Sequence, residues 1–205
     1  MAKKIGKLLL TKLSALAKTD QSGVTTVLGG EATAVGQDTL AEGKATLQVK
    51  DLGAVTVVKG TASFGATAQS TGGSTAYATA DSFADVSGAD IVITRTKSTS
   101  NTTENGDSTT WTETSTTRVL AIDIEGITLP KTLDLSAGLS KVLSKIQGFK
   151  AIKKPDPVDL DGNVAKVQID VLVEGENTYA DVGTSVLTVE DTLSTVNASI
   201  TTGIA

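Results

Sequence analysis

The stretch from Asp90 to Leu129, DIVITRTKSTSNTTENGDSTTWTETSTTRVLAIDIEGITL, constrains the fold more than any other part of the chain. Ile91, Ile93 and Arg95 alternate with Val92, Thr94 and Thr96, and on the return Leu120, Ile122 and Ile124 alternate with Ala121, Asp123 and Glu125. A period of two is the signature of a strand with two different faces. The two arms meet at Asn105-Gly106-Asp107, so a long β-hairpin is predicted over about 90–125. Its outer half, Ser98 to Thr117, is almost all Thr, Ser, Asn and Glu around a single Trp111. Branched Thr favours the extended backbone but offers little apolar surface. The hairpin is therefore expected to project into solvent, with Asn105, Gly106, Asp107 and Trp111 exposed at its tip.

The remainder reads as strands that complete this sheet. VTTVL, EATAV, KATLQVKD, AVTVVKG, TASFGATAQ and STAYATAD follow one another from Val24 to Asp81, with Gly29-Gly30, Gly43, Gly53 and Gly72-Gly73 taken as turns between them. Short strands at this spacing predict a mainly β fold, an antiparallel β-sandwich or jelly-roll. Aromatic residues make up 3% of the chain, so the core is expected to be thin and built from Val, Ile, Leu and Ala. With 205 residues the expectation is an N-terminal helix over 1–20 and a single β domain over 21–205.

Two stretches have the helical period instead. Over 3–18, Ile5, Leu8, Leu9, Leu13 and Leu16 share a face opposite Lys4, Lys7 and Lys18. Over 138–153, inserted in the β domain, Leu139, Val142, Leu143, Ile146 and Phe149 share a face that Pro155 and Pro157 terminate. Such a face suits a helix that covers its own sheet, one that docks in a partner's groove, or one that lies on an anionic membrane, the last being the least favoured. Lys12 interrupts the N-terminal apolar run, so a retained helix is expected rather than a cleaved export signal. These stretches also carry Lys3, Lys4, Lys7, Lys12, Lys18, Lys141, Lys145, Lys150, Lys153 and Lys154, leaving the β portion acidic. Opposite poles of this kind favour head-to-tail association with copies of the same chain.

The absence of cysteine and histidine removes disulfides, thiolate chemistry and the usual general base together. No catalytic motif emerges, and the chain is expected not to be an enzyme. A formal charge of -5 argues against nucleic acid as a partner. Gly29-Gly30 and Gly72-Gly73 lack the lysine and helix of a phosphate loop. No cofactor is required; calcium is the one ion the residues suit, because Asp159, Asp161 and Asn163 have one-apart oxygen spacing and Asp156 adds a fourth ligand. Val164 and Asp170 stand where the EF-hand loop needs Gly and Glu, and a bare Asp-Gly-Asn turn accounts for the same residues.

Asn163 to Glu174 is the strongest alternating strand and is expected in the centre of a sheet; TSVLTVED and LSTVNASITTGIA follow as closing strands. Leu193, Val196 and Ile200 on the last of these, with Ile5, Leu8, Leu9, Leu13 and Leu16, form the expected interface, through which subunits would complete one another's sheets or grooves. The acidic, hydroxyl-rich C-terminal region resembles the uncleaved export signal of type I secreted bacterial proteins. That resemblance implies an extracellular or cell-surface location. The reading of function is a structural subunit that self-assembles into a filament or matrix; the alternatives are a carbohydrate- or surface-binding β-sandwich and a membrane-active pore-former. For the last, the Ser/Thr-rich hairpin resembles the insertion hairpins of aerolysin-like toxins but lacks their alternating apolar residues.

Overall fold

The computed structural model describes residues 23–53, 55–124 and 162–204. The expected helices over 3–18 and 138–153 lie outside them. Nine strands run in chain order: β1 (Thr25–Val35), β2 (Asp38–Asp51), β3 (Val55–Thr71), β4 (Tyr77–Ser87), β5 (Ile91–Asn105), β6 (Ser108–Ile124), β7 (Asn163–Glu174), β8 (Thr178–Val189) and β9 (Leu193–Ile204). They form two sheets, of order β4-β1-β9-β8 and β5-β6-β3-β2-β7, packed face to face as a sandwich. All neighbours are antiparallel except β2 and β7, which run parallel and make the larger sheet mixed.

The hairpin forms as the alternation predicts. Asn105 pairs with Ser108 across Gly106-Asp107, and Gly106 has φ +62°, the first-position glycine of a tight primed turn. It does not project. The outer side of β6 is paired with β3 along its whole length, from Val55 opposite Ile124 to Thr71 opposite Ser108. Threonine makes this possible, because its hydroxyl bonds across strands where an aliphatic side chain would need covering: Ser63 meets Thr116 at 2.7 Å and Gln69 donates to Ser108 at 2.9 Å. Asn105, Gly106 and Asp107 are exposed at the turn, whereas Trp111 is half-buried against the core.

Other expectations are also corrected. Val55–Thr71 is one strand rather than two, and Asn163–Glu174 is the edge of the larger sheet rather than its centre. Gly72 and Gly73 do turn, but Gly29, Gly30 and Gly43 lie inside β1 and β2. A Cβ on Gly29 would meet Ala198 O and the Phe83 ring on the outer face, whereas Gly30 and Gly43 face Phe64, the largest fully buried side chain. Its ring fills the space between the sheets, where a Cβ on Gly30 would stand 2.6 Å from Cε2 and a Cβ on Gly43 2.7 Å from Cε1. These two glycines give clearance to a ring, Gly30 also to Asp81 O, in a core otherwise lined by Ala, Val, Leu28, Leu47 and Ile200.

The interior at the β4–β5–β6 side is polar. Thr117 Oγ1 donates to Ser82 O at 2.8 Å, which leaves it to accept from Ser82 Oγ at 2.9 Å and Thr96 Oγ1 at 2.8 Å. Ser82 Oγ in turn lies 2.9 Å from Ser115 Oγ, and Ser115 3.1 Å from Ser98. Thr117, Ser82, Thr96, Ser115 and Ser98 are thus all partnered. By contrast Thr26 and Thr202 face each other across β1 and β9, both buried, and neither Oγ1 has a hydrogen-bond partner among the described residues. The two sites therefore respond oppositely to the same change of hydroxyl to methyl. Thr117→Val is expected to lower stability by about 1–3 kcal/mol, because it leaves buried partners unsatisfied, while Thr26→Val is expected to raise it by roughly 1 kcal/mol. Urea denaturation of the two variants reads both signs; a loss at both sites would show that Thr26 is satisfied in solution.

Candidate functional site

The two long sides of the sandwich differ. At one, the larger sheet overhangs the smaller: β4 lies over β6, so the inward-facing residues of the edge strand β5, Val92 and then Thr94, Thr96, Ser98, Ser100, Thr102 and Glu104, are exposed. At the other, β7 and β8 lie one over the other in different sheets, with no backbone ladder between them and each paired on one edge only.

This second flank is apolar inside. Cross-strand pairs share a face, so the register places Ala165, Val167, Ile169, Val171 and Val173 of β7 beside the buried inner row of β2, and all five are half-buried. Opposite them stand Val182 and Val186 of β8, paired with Ile200 and Val196. Ile200 and Val196 are 0% exposed, yet Val182 is 45% and Val186 46% exposed. The same row of inward-facing side chains thus passes from core to solvent in one strand spacing. Leu187, Val189 and Tyr179 add apolar surface on the outer side of β8.

The flank is held at both ends. At one, Gly162 N donates to Asp38 Oδ1 at 2.9 Å, Thr39 N donates to Gly162 O at 3.2 Å, and Asn163 Nδ2 donates to Val189 O, tying the start of β7 to β2 and to the end of β8. At the other, Gly175 and Asn177, both with positive φ, turn β7 into β8, and Lys50 Nζ meets Glu174 Oε2 at 2.6 Å. That ion pair is half exposed and contributes at most about 1 kcal/mol. The flank is also acidic: Asp170, Glu174, Glu176, Asp181, Glu190 and Asp191 lie on it or at its ends, and Lys166 is the only basic residue from 162 to 204.

No family model matches the chain. No curated protein matches it. Among solved structures it is similar to the secretin InvG of the Salmonella SPI-1 type III secretion injectisome, at 8% identity over 60% of this chain and 68% of that one, with a TM-score of 0.16. It is also similar to the InvG secretin domain β-barrel of the same injectisome, at 8% identity over 76% of each chain and a TM-score of 0.13. Likenesses of that size indicate neither a shared fold nor a shared role.

The structure distributes the sequence-predicted residues differently from the flank. Asp156, Asp159 and Asp161 lie outside the described residues, and Asn163 uses its amide to hold Val189. No group of three or more acidic residues that could hold a metal occurs among the described residues. Ile5, Leu8, Leu9, Leu13 and Leu16 are likewise outside them. Val196 and Ile200 are in the core of their own chain, since β9 lies between β1 and β8, and Leu193 is half-buried at the start of that strand. An exchange of β9 between copies would have to take the middle out of the smaller sheet. The flank itself left a signal in the sequence, because β8 carries apolar residues on both faces, Val182 and Val186 on one and Leu187 and Val189 on the other.

Proposed function

We propose that this protein is a non-enzymatic structural subunit that assembles head to tail with copies of itself, at the cell surface or outside the cell. The flank between β7 and β8 of one copy receives the N-terminal segment of the next. The observation that carries this reading is the exposure of Val182 and Val186 in the inner row, on a flank whose charges are acidic. Strand edges left open in this way are normally protected by lysine, proline or a bulge, and β8 has none of the three. The segment 3–18 has the complementary chemistry, an apolar face on Ile5, Leu8, Leu9, Leu13 and Leu16 and flanking lysines.

The test is the oligomeric state of the full chain by light scattering and electron microscopy, beside a variant lacking residues 1–19. The full chain is expected to form concentration-dependent polymers and the shortened one to remain a folded monomer. A parent that stays monomeric, or a shortened chain that polymerises equally well, overturns the reading. Calcium belongs to it only if Asp161→Ala weakens calcium binding measured by calorimetry; unchanged binding removes Asp156, Asp159, Asp161 and Asn163 as its ligands.

A second reading, carbohydrate binding, is favoured by the outer face of the smaller sheet. Phe83 lies over Gly29 and Tyr179 over Gly203, both rings about half exposed on a face that also carries Glu31, Asp81 and Asp181. Sugar rings stack on such platforms. A glycan-binding screen in which Phe83→Ala and Tyr179→Ala abolish a signal shown by the monomer would favour it over assembly.

A further inference from the structure

The outer face of the five-stranded sheet carries an apolar patch that is independent of the flank. Register places Ile91 and Ile93 of β5, Leu120, Ile122 and Ile124 of β6 and Val55 of β3 together on the side facing away from the smaller sheet. No described strand lies over that side. Even so, Val55, Leu120 and Ile124 are each 4% exposed, although they are not part of the core between the sheets. The edge strand β5 shows the same inversion. Ile91 and Ile93, on the outer face, are half-buried, while Val92 between them, facing the smaller sheet, is 43% exposed.

Topology indicates what belongs there. β6 runs antiparallel to β3, β3 to β2, and β2 parallel to β7, so β6 and β7 point the same way in one sheet. The chain leaves β6 at Ile124, inside the patch, and enters β7 at Asn163, which pairs with Thr39, level with Ala68 and Trp111. Residues 125–161 must therefore return about 40 Å along the strand direction, a crossover of the kind that parallel strands require. The inner face of the sheet is filled by β4, β1 and β9, which leaves the outer face for the return. Within this connection lies the one stretch with a matching apolar face, Leu139, Val142, Leu143, Ile146 and Phe149, and a helix over 138–153 would cover about 24 Å of the path.

We propose that the patch on β3, β5 and β6 is the docking site of the segment 138–153 of the same chain, with its Lys141 and Lys145 turned to solvent. The lack of any native cysteine makes the test direct. Ile93→Cys and Val92→Cys, made separately in the full chain, place a thiol on opposite faces of the same edge strand. The rate of maleimide labelling at Ile93→Cys is expected to be at least about tenfold below that at Val92→Cys, and independent of protein concentration. Adding Leu143→Asp and Ile146→Asp is expected to bring the Ile93→Cys rate up to that of Val92→Cys, with far-ultraviolet circular dichroism reporting that the strands persist. Equal rates in the unaltered background overturn the proposal, as does protection that the two aspartates leave intact. Protection lost on dilution overturns it as well, since the occupant would then be a second copy.

Discussion

Phe64→Ala is expected to cost about 3–5 kcal/mol, near the upper end of that range, read as a fall in the urea midpoint with an unchanged slope. Large-to-small changes are least costly where neighbours can move into the space. Here Phe64 faces Gly30 and Gly43 and stands between Ala62 and Ala66 on its own strand, on strands hydrogen-bonded on both sides. The two sheets cannot approach locally without breaking that pairing, so most of the ring's volume remains as a cavity. For a chain of ordinary stability, roughly 5–15 kcal/mol, the loss is a third or more of the whole. Gly43 supplies the control. Gly43→Val alone is expected to destabilise, since its Cβ would stand 2.7 Å from the ring and 2.9 Å from Val196. In the Phe64→Ala background the same substitution fills vacated space and is expected to restore part of the loss. The sign reversal in this double-mutant cycle is the critical outcome; an equal penalty in both backgrounds would mean that Gly43 is glycine for the conformation of β2 and not for the ring.

The same pair of residues shows what could be read from the sequence and what could not. A glycine inside an alternating run means either a turn or a place where something approaches closely, and the local sequence of Gly29-Gly30 or Gly43 does not distinguish them. The approaching group is Phe64 at Gly30 and Gly43 and Phe83 with Ala198 at Gly29, all on other strands, and only tertiary packing brings them there. Gly72-Gly73 and Asn105-Gly106-Asp107 were legible because nothing distant competes with their turn chemistry. The Thr-rich half of the hairpin failed for a related reason. Threonine serves equally on a solvated arm and in a ladder of hydroxyl bonds, and the full-length pairing of β6 with β3 decides between them.

Alternation, in turn, reports faces and not neighbours. Asn163–Glu174 has the most regular alternation of the chain, and its inner row does face the core, yet the strand is an edge. LSTVNASITTGIA reads as a closing strand and lies inside the smaller sheet, between β1 and β8. Strand order is set by which edges meet in space, and the parallel pairing of β2 with β7 spans a sequence separation that no local pattern encodes. The candidate site inherits this limit. Its ingredients, Val182, Val186 and the acidic residues, are visible in the sequence, but their arrangement as an open flank depends on β7 and β8 both being edges on the same side.

Val182→Lys with Val186→Lys is expected to abolish assembly while leaving the fold intact. Both side chains are nearly half exposed within one chain, so the substitutions remove little core contact and are expected to change stability by less than about 1 kcal/mol. In the assembly the exposed remainder of the same two valines would be covered, and burying it contributes about 0.7 kcal/mol for each. Their loss alone weakens association by about 1.4 kcal/mol, or roughly tenfold in dissociation constant. The new charges act in the same direction, since they stand in the groove where the incoming segment would lie and repel its Lys3, Lys4, Lys7 and Lys12. Inward-pointing lysine is also the device by which natural edge strands avoid pairing. Leu187→Lys is the control: it adds one such charge to the same strand, but on the outer face, where Leu187 pairs with Thr195 away from the groove. Sedimentation velocity of the three proteins over a range of concentrations and salt separates the possibilities. The parent should assemble and weaken as salt screens its charges, the Leu187 variant should follow the parent, and the double variant should sediment as a folded monomer throughout. If the double variant polymerises like the parent while Leu187→Lys does not, the contact lies on the outer face of β8, and the groove between β7 and β8 is not the assembly site.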